Sequence, residues 1–442
     1  LHPYVLTSNT PRKETMKKDE RLRGYHDEQL ETLPWEEKKR LMENQLQRAV
    51  LIAVEEAPAM REKFKEAGIE PSDIRSLEDL QSLAITPKAQ MRQLQQASPP
   101  FGGFLGVDLN KLRRIYTSPG AIFDPEGQQT DYWRLQGIFF NTGFRPGDRV
   151  LNTFSYHLTP AGLMCDEALS GIGCTVVPGG IGNTETQVQL MEELKLTGYV
   201  GVPSFLQAII ERAEQKGKDF RRDFSLQIAV TAGEMLTAAS RNRLEEDYGI
   251  LVRQFLATAD VGGIAYECSE NNGMHFADYR VIEVVDHETG KQLGPGQVGE
   301  VVVTLLENPV YPLIRFGTGD LSYYEEEPCP CGRTSPRLMK LVGRLDQVTK
   351  VRGMFIHPSQ VEEVVAAFPE IQTAQAVVER EQDRDKLTFC VVLAEASSQE
   401  GLASPLQERI RTVLKLRADV TFVSENDLQE VEKRILDLRK WD

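Results

Sequence analysis

The sequence predicts an α/β protein: a large N-terminal region on a mainly parallel sheet, then a small ferredoxin-like α+β unit. Three observations carry this expectation. Short apolar runs alternate with helical patterns between about residues 110 and 260. Turn-rich, β-branched runs follow from about 276 to 324. Beyond residue 346 the order reads strand, helix, strand, strand, helix, strand.

Taken in order, residues 1–15 lack the basic-then-apolar pattern of a secretory signal, and Met16 fits a native start, so 1–15 is expected to be a leader or vector-derived segment. Residues 16–95 form an expected helical layer, with apolar positions at helical spacing from Leu33 through Ile52. Ser72 and Ser76 precede acidic turns, and Thr86-Pro87 reads as a cap followed by a proline start. The expected role of this layer is to pack over the core. An α/β core and small β region fill 96–345, with strands near 149–154, 175–178, 198–202, 227–231 and 251–255 and helices near 184–196 and 204–216. Gly290, Gly294 and Gly296 mark hairpin turns, and Val298 to Leu305 is a β-branched strand. A C-terminal domain spans 346–442, with strands near 347–351, 373–379, 386–393 and 419–423 and helices near 358–367 and 402–415.

Composition narrows the function. The 442 residues are 40% hydrophobic and 26% charged, a globular balance for about two to four domains. A net charge of −15, from 66 acidic and 51 basic residues, disfavours polyanion binding and adhesion to anionic membranes. It leaves room for a small nucleotide, because a local set of backbone N–H groups holds phosphate on an acidic protein. There is no run of 18 apolar residues to suggest a transmembrane helix, and six cysteines do not make a disulfide scaffold, so the chain reads as cytoplasmic.

Three constellations carry chemistry. Cys268 and His275, with Cys329-Pro-Cys331-Gly, offer four ligands for a tetrahedral structural zinc; spacing alone equally allows four unrelated residues. The run from Arg114 to Gly127 places a Ser118-Pro-Gly120 turn after a strand, able to present N–H groups to phosphate, though without the Gly-Lys-Ser/Thr of a Walker loop. Pro312 to Asp320, followed by Gly343-Arg344-Leu-Asp346 and on to Gly353, sets an acid suited to a ribose diol beside an arginine at a domain junction.

From about residue 26 to 442 the chain resembles the adenylate-forming (acyl-CoA synthetase) superfamily, and within it the phenylacetate–CoA ligase family. The likeness rests on Glu31-Thr-Leu-Pro-Trp, Ser76-Leu-Glu-Asp-Leu, Ile85-Thr-Pro-Lys, Gly182-Asn-Thr-Glu-Thr-Gln187, Val202-Pro-Ser-Phe and Thr231-Ala-Gly-Glu234. It continues through Leu313-Ile-Arg-Phe-Gly-Thr-Gly-Asp320 and Val351-Arg-Gly-Met-Phe-Ile-His-Pro-Ser-Gln-Val-Glu-Glu363. The resemblance implies that Gly233 and Glu234 line an adenine pocket, Ser118 and Gly120 belong to the phosphate loop, and Thr258 meets phosphate while Asp260 holds Mg2+. By the same likeness, Asp320 holds the ribose with Arg344 beside it, Asp346 is the hinge, Gly353 lies along the coenzyme A path, and Tyr156 stands on the carboxylate wall. Cys268, His275, Cys329 and Cys331 match the family's structural zinc set.

Three departures stand out. The family loop Ser-Ser-Gly-Thr-Thr-Gly-Lys-Pro is here Ser118-Pro-Gly-Ala-Ile-Phe-Asp-Pro125, without either threonine or the lysine, and the motif acid is Asp260 instead of glutamate. Alignment on Arg434, Asp437 and Arg439 puts Val431 where the family has its adenylation lysine, leaving Lys433 two residues away as the candidate. The activity implied is ATP-dependent ligation of an aryl or acyl acid to coenzyme A through an acyl-adenylate. The alternatives are a nucleotide- or acyl-CoA-binding relative with little turnover, and an adenylating enzyme with another acceptor. Expected partners are a small-molecule carboxylate, ATP, Mg2+ and coenzyme A, with a homodimer allowed and neither nucleic acid nor membrane.

Overall fold

The computed structural model describes residues 18–118, 120–234, 236–341, 343–345, 349–356, 358–381, 384–394, 397–429 and 433–439. The expected leader, the hinge residue Asp346 and Val431 lie outside the described residues.

Five parallel strands form one half of a nine-stranded sheet. In spatial order they are Thr175–Pro178, Arg149–Asn152, Gly198–Gly201, Ile228–Thr231 and Leu251–Thr258. The inner four are largely buried, as strands covered on both faces require, while the edge strand Thr175–Pro178 is partly exposed. Helices Ala161–Gly171, Thr184–Glu193 and Pro203–Gln215 connect them. After Thr258 the chain reverses, and Gly262–Glu267 and Met274–Phe276 extend the sheet antiparallel. A second sheet runs Arg280–Val285, Gly299–Leu305 and Phe316–Ser322, all antiparallel.

The N-terminal layer is helical, with Trp35–Glu56 burying Leu46, Ala49, Val50 and Ala53 at i, i+3, i+4 and i+7 spacing. Leu46, Val50 and Ala53 pack into the same apolar cluster as Val284, Val301, Val303 and Phe316 of the second sheet. One element differs from expectation. Thr86-Pro87 does not start a helix: Thr86 pairs in parallel with Phe316 and Pro87 with Gly317, and helical turns begin only at Lys88. Arg315 decides this. Its side chain is 1% exposed and bonds the Leu83 carbonyl at 2.6 Å, the Gly290 carbonyl at 2.6 Å and the Glu283 carboxylate at 3.2 Å. The Thr86 N–H in turn donates to the Arg315 carbonyl at 2.8 Å.

The C-terminal four-stranded sheet has the order Asp419–Phe422, Arg384–Leu393, Ile371–Glu381 and Ile435–Asp437, packed with helices Pro358–Ala366 and Ala403–Leu414. The first strand of the expected order lies beside this sheet, as a hairpin of Thr349–Val351 with Met354–Ile356. Arg352 and Gly353 turn it with φ of 47° and 80°, the two positive values of a two-residue hairpin loop. The vacant sheet edge is filled by Ile435–Asp437, parallel to Ile371–Glu381.

Replacing Arg315 by methionine leaves Glu283 buried without its charge partner and frees two carbonyls. We expect a loss of about 3–5 kcal/mol in denaturant unfolding, with Arg315→Lys keeping part of it.

Candidate active site

A cleft of about 2470 Å³ opens at the carboxyl ends of all five parallel strands. Its walls include Ile181 and Gly182, Phe154 and Ser155, Val202 and Ser204, Gly233 and Glu234, and Thr258, each at or just beyond one strand end. In open α/β sheets this edge gathers ligands, because strand-end loops from separate crossovers converge there. The C-terminal domain supplies the opposite wall through Lys350, Arg352, Gly353 and Lys433.

Most expected site residues meet here. Ser118, Gly120, Gly233, Glu234, Thr258, Asp320, Arg344, Gly353 and Lys433 all line the cleft. Asp320 and Arg344 sit opposite each other in paired strands, with Arg344 Nε 3.7 Å from the Asp320 carboxylate. The expected phosphate loop is the tip of a hairpin, Arg114–Ser118 against Ile122–Glu126. Lys433 is on the C-terminal wall, its carbonyl accepting from Gln375 at 2.8 Å.

Tyr156 is a correction: it is absent from the lining, and its hydroxyl is held at 2.8 Å by both Asn152 and Asp166. The neighbours Phe154, Ser155 and His157 face the cleft instead. Asp260 lies behind the cleft wall, its side chain fully buried and paired with Lys88 Nζ at 2.5 Å. Three residues with positions of consequence were not among the sequence candidates. Lys88 lies in the Ile85-Thr-Pro-Lys run and reaches the cleft from the helical layer, which is therefore more than a packing cap. Asp124, at the position of the family's loop lysine, is fully buried. Lys350 enters from the C-terminal domain, and a Cβ built on Gly233 would lie 2.1 Å from its Nζ. The substituted loop position pointed toward Asp124; no local pattern marked Lys350.

The four metal-ligand candidates also converge, their ligand atoms all within 4.8 Å of one another. Cys268 Sγ and Cys329 Sγ are 3.7 Å apart, and Cys331 Sγ is 3.4 Å from His275 Nε2. These are close to the edges of a tetrahedron with metal–sulfur bonds of about 2.3 Å, about 3.8 Å. His275 Nδ1 lies 3.0 Å from the Ser335 carbonyl, an outer contact that orients the ring with Nε2 toward the thiols. The donor set fits zinc, with four protein ligands and no open position.

Among known proteins, the AMP-binding enzyme family matches residues 130–304 and the AMP-binding enzyme C-terminal domain matches residues 353–439. Phenylacetate-coenzyme A ligase of Thermus thermophilus is 32% identical, covering 93% of this chain and 99% of the relative. That of Escherichia coli is 28% identical, covering 93% and 97%. The structure of 2-hydroxyisobutyryl-CoA ligase with 2-HIB-AMP and CoA in the thioesterification state superposes with a TM-score of 0.84 at 27% identity, covering 96% of this chain and 94% of that one. In its postadenylation state with 2-HIB-AMP the TM-score is 0.70 at 28% identity, covering 96% and 93%. Of these two states, the arrangement here is nearer the thioesterification one.

Lys350 makes that arrangement sensitive to pH. Burial, less the attraction of Glu234 and aided by the repulsion of Arg344, lowers its pKa from 10.5 to about 8. If the cleft opens, the ammonium regains water and its ordinary value. Between about pH 8 and 10.5 the open form then carries a proton that the closed form lacks. Closure should therefore strengthen as pH rises through this window, read by energy transfer between dyes on the two domains, and the Lys350→Met variant should lose this dependence.

Proposed function

The chain belongs to the phenylacetate–coenzyme A ligase family of AMP-binding enzymes, and from that premise we propose that it ligates a small aryl or acyl carboxylate to coenzyme A with ATP. The observation that carries this reading is one cleft walled by both domains, with Asp320 and Arg344 paired at its edge and Gly353 facing it from the C-terminal hairpin.

In the first half-reaction a carboxylate oxygen bonds the α-phosphorus of ATP, and the bond to the pyrophosphate oxygen breaks. The residues of this chain orient the nucleotide. Gly233 and Glu234 flank adenine, Asp320 accepts the ribose hydroxyls, Arg344 stands beside it, and Ser118, Gly120 and Thr258 offer donors to the phosphates. Lys88 is the cation best placed to replace the missing loop lysine, since it already lies on the cleft wall. Mg2+, which Asp260 would hold, would supply neutralisation of the charge growing on the phosphate oxygens. Lys433 is the candidate cation of the C-terminal domain for this step, delivered by rotation of that domain.

In the second half-reaction the thiol sulfur of coenzyme A bonds the acyl carbon, AMP leaves on the phosphate oxygen, and the thiol proton passes to solvent. Gly353, at the tip of its hairpin, leaves a side-chain-free passage for the pantetheine arm; nothing lies within 4 Å of a Cβ built there. The Cys268, His275, Cys329 and Cys331 set would hold a structural zinc, which would pin the Cys329–Cys331 loop against the nine-stranded sheet. Thiolate ligands of this kind suit the reducing cytoplasm.

Two measurements test the proposal. With a panel of aryl and short acyl acids, pyrophosphate release and a coenzyme A thioester should appear together. Release without thioester would assign another acceptor, and ATP binding with no release for any acid would sink the ligase reading. Metal analysis of the purified protein should return about one equivalent of zinc, and less than about half an equivalent with an intact fold would refute the Cys3His assignment.

A further inference from the structure

The hairpin of Thr349–Val351 with Met354–Ile356 is tied to the C-terminal domain at two levels. Its base is apolar: Val351 and Ile356, both 0% exposed, enter the same buried cluster as Phe389 and Ile435. Its tip, Arg352-Gly353, is held by charged groups. Asp385, at the start of strand Arg384–Leu393, accepts the Arg352 N–H on Oδ2 at 3.2 Å and Arg352 Nε on its carbonyl at 2.9 Å. The same Oδ2 accepts from Arg439 Nη1 at 3.0 Å, and that nitrogen also donates to the Lys350 carbonyl at 2.9 Å. Arg439 Nε donates in turn to Asp437 Oδ1 at 2.8 Å. Side-chain exposure is only 7% for Arg439 and 10% for Asp385. Such a buried ion pair adds little net stability over an apolar pair, because desolvation offsets most of the attraction; what it fixes is geometry. The geometry fixed here is an unfavourable one, since Arg352 is held at φ 47°, left-handed for a residue with a Cβ.

We propose that Arg439 and Asp385 are positioning residues for the coenzyme A half-reaction, clamping the hairpin tip so that Gly353 is presented to the pantetheine arm. The identity of that substrate rests on the ligase reading; the clamp itself does not. Three observations support it. Lys350, Arg352, Gly353, Asp385 and Arg439 all line the cleft, so a shift of the tip reshapes the cleft wall. The clamp also joins two separate approaches across the cleft. Arg384, next to Asp385, pairs with Glu211 of helix Pro203–Gln215, while Lys350 of the hairpin reaches Gly233. Hairpin and strand belong to different sheets, and the Asp385–Arg439 pair links them, so the two approaches keep one fixed separation. Finally, Lys433 and Arg439 stand at opposite ends of the short strand Ile435–Asp437, which sets the adenylation candidate apart from the clamp.

The two half-reactions of the full-length protein separate this role from a merely structural one. Acid-dependent exchange of pyrophosphate into ATP reads adenylation, and thioester formation reads the coenzyme A step. Arg439→Met should keep exchange within about twofold of wild type, while thioester formation falls about tenfold or more with a raised KM for coenzyme A. Asp385→Asn should shift the readouts in the same direction and carries the test if Arg439→Met fails to fold. Arg439→Lys, which keeps the charge, should recover part of the loss. Equal loss in both half-reactions, or no loss of thioester formation, would overturn the proposal. Hydrogen exchange at the Arg352 and Gly353 amides needs no turnover. Coenzyme A should protect them in wild type and much less in Arg439→Met; no protection in wild type, or equal protection in both, would also overturn it. If coenzyme A protects those amides yet wild type releases no pyrophosphate with any acid, the ligase reading fails and the clamp stands as a coenzyme A-binding device.

Discussion

The buried guanidinium of Arg315 ties the helical layer to the second sheet, and the placement of the cleft's charges follows from it. It grips Leu83 in that layer, while its own carbonyl receives the Thr86 N–H. Lys63 reinforces the join through the Thr86 hydroxyl at 2.9 Å and the Ile314 carbonyl at 2.6 Å. The segment is thereby held parallel to Phe316–Ser322. Lys88 follows that segment directly and Asp320 lies on the facing strand. A cation beside Asp260 and an acid paired with Arg344 thus hang on one join. A peripheral element that looks like packing delivers a charge to the cleft because backbone pairing fixes where its end points.

Electrostatics give this arrangement its purpose. A chain of net charge −15 repels polyphosphates at long range, so phosphate must be met by cations fixed within a low-dielectric cleft. They come from separate elements: Lys88 from the helical layer, Arg344 from the junction, and Lys350 and Lys433 from the C-terminal domain. Burial of Lys350 near Gly233 and Glu234 lowers its pKa, so its charge within the cleft depends on pH.

Much of the frame was legible in advance. All five parallel strands lie where β-branched and apolar runs predict them, the inner four because a strand covered on both faces must be largely apolar. Most of the nucleotide-site candidates line one cleft, since each sits at a strand end or tight turn whose local pattern is distinctive. The misses are of another kind. Thr86-Pro87 has the pattern of a helix start, yet pairing with Phe316 and Gly317 overrides it. Tyr156 is drawn inward by Asn152 and Asp166. Ile435–Asp437 is too short to show a periodicity, and is a strand only because Ile371–Glu381 offers it an open edge.

The sequence by itself determined the α/β class, the positions of the five parallel strands and their end loops, and a cysteine and histidine set with the spacing of metal ligands. These depend on alternation, turn chemistry and residue type, which are local. Only the tertiary structure decided which charges meet: that Lys88 pairs with Asp260, that Asp124 is buried within reach of Asp260, and that Lys350 reaches Gly233. Such pairings join residues more than a hundred positions apart, and no periodicity encodes them. Their strength is set by burial, a property the chain acquires only on folding.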